Sequence, residues 1–140
     1  MPRRILVAAL LLAAACTPTF NWREMTVDAL KLHAMFPCKP DRAERNTPLA
    51  PGREILLHAM GCEAGGASFI VVYGDVGDAG DAAEVLAQWK EASLAAAKAK
   101  AVQSQASYFA RGPLVIQAAV HAPHLKPEMT EPFFAGLRFE

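Results

Sequence analysis

The chain has 140 residues, 53% of them hydrophobic, and 14 basic side chains balance 14 acidic ones at a formal net charge of zero. This is material for one hydrophobic core and too little for two ordinary domains. The lysines are scattered rather than gathered into a basic stripe, so there is no electrostatic footprint for nucleic acid.

Residues 1–15 read as a signal peptide: Arg3 and Arg4 form the positive start, Ile5 to Leu12 an apolar run, and Ala13-Ala14-Ala15 the small residues before Cys16. The run is too short to span a bilayer, which takes roughly 20 residues. Ala14-Ala15-Cys16 resembles the bacterial lipobox, with Ala13 standing where that family usually has Leu, Val or Ile, and the resemblance implies acylation of Cys16. Ala13-Ala14-Ala15 also satisfies ordinary signal peptidase, which would release a soluble protein starting at Cys16. Cysteine parity favours the lipid: with Cys16 acylated, Cys38 and Cys62 remain as an even pair for an oxidising compartment. Thr17 in place of Asp implies, by the same resemblance, sorting to the periplasmic face of the outer membrane.

Residues 16–24, interrupted by Pro18, are expected to be a tether, and residues 25–140 a single globular domain. In Ala29–Phe36, Leu30, Leu32, Ala34 and Phe36 alternate with Lys31, His33 and Met35, the period of a half-buried strand. Pro37 and Pro40 exclude helix, and polar Asp41–Thr47 suits an exposed edge strand. Thr47-Pro48-Leu49-Ala50-Pro51-Gly52 is a turn signal before a further strand over Arg53–Cys62. A hairpin turning near Ala50 pairs residues whose numbers sum to about 100, which sets Cys38 opposite Cys62, with Cβ atoms about 4.5 to 5.5 Å apart, and predicts a disulfide.

Glu63-Ala64-Gly65-Gly66 turns into Ala67–Tyr73, rich in β-branched and aromatic residues. After a Gly/Asp loop, Asp81 and Glu84 form a capping box opening a long amphipathic helix to about Lys100. Its apolar face carries Ala82, Val85, Leu86, Trp89, Ser93, Ala96 and Ala97. Strands over Ala106–Ala110 and Leu114–His121 follow, the second with Leu114, Ile116, Ala118 and Val120 on one face. Thr130-Glu131-Pro132 starts a short C-terminal helix with proline in its first turn. The fold class is α+β, with a mostly antiparallel sheet.

Phe36-Pro37-Cys38-Lys39-Pro40, Ser68–Tyr73, the helix and Phe133-Phe134 with Leu137 resemble bacterial lipoproteins with a PsbP/Mog-like α/β/α sandwich domain. The resemblance implies a binding or assembly module with no shared catalytic residues. G-x-S-x-G, H-E-x-x-H and P-loop motifs are absent from the chain, and no enzyme activity or cofactor is expected. Asp75, Asp78 and Asp81 lack the spacing and terminal Glu of an EF-hand. The chemical alternative is a copper or zinc protein using His33, His58, His121 and His124 with Met35, Met60 or Met129. The main expectation is a non-catalytic binding or adaptor domain, attached to the membrane through its lipid, with a protein or small-ligand partner.

Overall fold

A computed structural model describes residues 19–50 and 52–140. Its centre is a five-stranded antiparallel sheet formed by β3 (Asp41–Ala50), β4 (Arg53–Ala64), β5 (Ala67–Asp75), β6 (Gln103–Arg111) and β7 (Leu114–Ala122), in the order β3-β4-β5-β7-β6. The β7 strand is flanked on both sides and covered on both faces, and every residue from Val115 to Val120 is buried. One face of β7 meets the expectation for Ile116, Ala118 and Val120. The other, with Val115, Gln117 and Ala119, is also enclosed, because helix α1 (Ala82–Ala99) lies over it.

The opposite face is covered by a smaller antiparallel sheet of β1 (Arg23–Val27), β2 (Leu32–Phe36) and β8 (Arg138–Phe139), together with helix α2 (Pro127–Ala135). Alternation in β2 buries Leu32, Ala34 and Phe36 and leaves His33 and Met35 on the other side. Phe36, Phe69 and Phe133 are fully buried and meet edge to face, with ring centroids 5.7 to 5.8 Å apart. On the other side of the large sheet, Val85 and Trp89 of α1 pack with Ile55, Leu57, Val72 and Val115. The layers are therefore α1, the five-stranded sheet, then the small sheet with α2.

The observed fold is α+β with antiparallel sheets, and the expected edge strand and hairpin are β3 and β4. Several details differ. The segment read as one strand from Ala29 is a 3-10 turn over Asp28–Leu30 followed by β2, with Lys31 in the left-handed region at φ 49°. Folded structure also begins before Met25: Phe20 and Trp22 stack edge-on against Phe69, and Arg23 and Glu24 belong to β1. Of the expected tether only residues 19–24 are described, and these are held by aromatic packing. Helix α2 starts at Pro127, three residues earlier than read, because a proline at the first helical position loses no hydrogen bond. Asp81 does not cap α1; its carboxylate is drawn 3.0 Å from Arg53, and Asp78 caps the preceding 3-10 turn by accepting from Gly80 N at 2.8 Å.

Candidate functional site

Cys38 and Cys62 are joined, with Cα atoms 6.0 Å apart, as expected, although the ladder is offset from the one predicted. Asp41 pairs with Gly61 and Arg42 with Met60, so the position opposite Cys62 would be Pro40. Cys38 lies outside the ladder, in the segment leading from β2 to β3. The bridge consequently ties the small sheet's exit to the large sheet. Cys16 lies outside the described residues.

The same offset creates the chemically richest surface. Glu44 on β3, His58 on β4 and Tyr73 on β5 are successive cross-strand neighbours and share one face. His58 stacks on Tyr73 with centroids 4.9 Å apart and planes 17° from parallel. Its Nδ1 lies 3.2 Å from Glu44 Oε1. The two are within ion-pair distance whenever the imidazole is charged. Arg42 and Met60 form the next row, and Val27 of β1 closes the far wall of a cleft of about 400 Å³. The cleft thus presents a guanidinium, a carboxylate, an imidazole and an aromatic face above a buried thioether. That mixture suits recognition of a polar group attached to a flat or apolar body.

Two further concavities expose more apolar than polar surface. One, of about 470 Å³, lies over Ala43, Ala59, Gly61 and Ile70, with Asp41, Arg42 and Glu63 also lining it. The other separates Pro48 and Leu49 from Ala92 and Ala95 of α1. Beside it, Gln88 Oε1 is buried with no hydrogen-bond partner among the described residues.

The remaining histidines stand on separate elements with their own partners. His33 is bracketed by Glu24 Oε1 at 3.1 Å from Nδ1 and Glu140 Oε1 at 2.6 Å from Nε2. The carboxylates occupy opposite ring nitrogens, so they share no coordination point with the imidazole. His121 Nδ1 is 2.9 Å from Ser104 Oγ, and burial first, then the positive charge of Lys100, lowers its pKa. Among the described residues, no carboxylate hydrogen-bonds to that ring, and the pair lacks the third group of a catalytic triad. His124 is exposed after β7, while Met60 and Met129 are buried. Among the described residues no group of three or more His, Cys, Asp or Glu side chains converges as a metal site. The loop aspartates are engaged: Asp75 accepts from Gly77 N at 2.7 Å, Asp78 from Gly80 N, and Asp81 pairs with Arg53.

No protein-family model matches the chain, and no curated protein or solved structure is significantly similar to it. Among the described residues, no helix is long and apolar enough to cross a membrane.

Proposed function

We propose that the protein is exported, acylated on Cys16 and held at the periplasmic face of the outer membrane, where its domain binds a partner by contact and performs no chemistry. The observation that carries this reading is the Cys38–Cys62 bond. Disulfides persist in oxidising compartments, and this one occupies two of the three cysteines and leaves Cys16 available. The amphipathic reading of α1 has support in its buried Ala82, Val85 and Trp89.

The His58–Tyr73 cleft is the binding surface in this reading, since it sets Arg42 and Glu44 beside the stacked rings of His58 and Tyr73. Fractionation tests the address: the wild type should sediment with membranes and Cys16→Ser should be soluble. A Cys16→Ser protein that stays with membranes contradicts the anchor. Affinity isolation of the lipidated protein from its own envelope, beside a Tyr73→Ala variant, tests the cleft. A partner lost with Tyr73→Ala supports it, and an identical set of partners contradicts it.

A further inference from the structure

The short distance between the acylation site and the first packed residues fixes which end of the domain can meet the bilayer. Cys16 stands three residues before Thr19, so their Cα atoms are separated by no more than about 11 Å, whatever path the chain takes. Thr19 and Phe20 are pressed against the β4–β5 turn. A Cβ placed on Gly65 would come within 2.6 Å of the Phe20 ring and 3.2 Å of Thr19 Cγ2. The backbone N–H of Asn21 donates to Pro37 O at 2.8 Å, beside the disulfide. The chain therefore enters the domain at the end marked by Gly65, Gly66 and the Cys38–Cys62 bridge.

Ladder register gathers other segments at this end. Ser68, just after the turn, pairs with His121, and His121 pairs with Ser104, so β7 ends and β6 begins here. Exposed Lys98 and Lys100 precede β6, exposed His124 and Lys126 follow β7, and exposed Lys39 adjoins the bridge. Asp41, Glu63 and Glu128 are the acidic residues beside them. The opposite end carries the β3–β4 tip, the loop with Asp75, Asp78 and Asp81, and Asp28 and Glu54. Lys31, Arg53 and Arg111 are there too, Arg53 paired with Asp81 at 3.0 Å and Arg111 donating to the Leu30 carbonyl at 3.1 Å, so the five acidic side chains outnumber these three basic ones. An anionic surface therefore attracts the end at which the chain enters and repels the acidic one.

We propose that the end bearing Lys39, Lys98, Lys100 and Lys126 rests on the anionic headgroups of the bilayer that holds the Cys16 acyl chains, with the β3–β4 hairpin pointing away from it. This orientation rests on acylation of Cys16. It leaves the tip of the hairpin and the acidic loops as the parts that a second molecule meets first.

Lysine labelling tests the orientation. The full lipidated protein is added to preformed vesicles of phosphatidylethanolamine and phosphatidylglycerol and treated with a membrane-impermeant amine-reactive ester, with soluble Cys16→Ser protein as reference. Peptide mass spectrometry should show labelling slowed several-fold at Lys39, Lys98, Lys100 and Lys126, and unchanged at Lys31 and Lys90. Protein that floats with the vesicles but labels as the soluble form does, or is protected at Lys31 instead, overturns the orientation and leaves the anchor standing. Protein that does not float removes the anchor and the orientation together.

Discussion

Cys62 lies within the paired length of β4, whereas its partner Cys38 sits ahead of β3, so their bond crosses from the connection between the two sheets into the large sheet. It closes a sequence separation of 24 residues and restrains the unfolded chain accordingly. Loop-closure entropy assigns such a link about 3 kcal/mol. Cys38→Ala and Cys62→Ala should each lower unfolding stability in urea by a similar amount of this order. The double variant should lose little more, because either change breaks the same bond. Additive losses would show that no bridge forms.

Gly65 is the second expected point of sensitivity. It adopts φ +59° and also carries the Phe20 contact, whereas Gly66, at φ +76°, has nothing within 4 Å of an added Cβ. Gly66→Ala should cost about 1 kcal/mol through backbone strain alone. Gly65→Ala should cost more and loosen residues 19–22, visible as faster amide exchange at Asn21. Equal effects of the two changes would mean that Phe20 is not docked there.

Beneath α1, the buried Gln117 amide donates to Tyr108 Oη at 2.7 Å and Ser93 Oγ at 3.0 Å. A half-satisfied buried amide is costly, so Ser93→Ala and Tyr108→Phe should remove contributions of about 1 kcal/mol each. Tyr108→Phe keeps the ring that meets Trp89 edge-on at 6.0 Å, which isolates the hydroxyl. Chemical denaturation of both single variants and the double variant measures the coupling. A double variant no worse than Ser93→Ala alone would show the tyrosine hydroxyl contributes nothing.

His121 should titrate below its ordinary value of 6.5, chiefly because burial disfavours the imidazolium and secondly because Lys100 repels it. In the window between the lowered folded value and 6.5, the unfolded chain binds more protons than the folded one. Stability from this group is therefore present above 6.5 and lost as pH falls through the window. Proton NMR should show the lowered midpoint and a partial return towards 6.5 in Lys100→Gln. The stability difference between wild type and His121→Gln should shift against the wild type on acidification. A midpoint at or above 6.5 would contradict the burial of the ring, and a midpoint unmoved by Lys100→Gln would contradict the placement of Lys100 beside it.

Much of the fold was legible because periodicity survives wherever one face is buried. Leu32, Ala34 and Phe36 in β2 and the β-branched run of β5 gave strands that the structure contains. The β1 strand was hidden because only Val27 of its five residues is buried, so no alternation marks it. The hairpin was legible in kind but not in register. A bulge between Pro48 and Ala50 shifts the pairing, and His58 meets Glu44 rather than Arg42. A slip of two keeps each side chain on its face while changing its neighbour, which is why the disulfide expectation survived and the Glu44–His58–Tyr73 row went unread. The capping box failed for a tertiary reason, since Arg53 on β4 competes for the Asp81 carboxylate.

The central claim is export with acylation of Cys16 around a disulfide-linked domain, and intact mass spectrometry of the protein isolated from its native cells tests it most directly. The account predicts a chain beginning at a lipid-modified Cys16, with Cys38 and Cys62 unreactive to thiol reagents until reduced. A chain still carrying Met1, with free thiols at both positions, would contradict it.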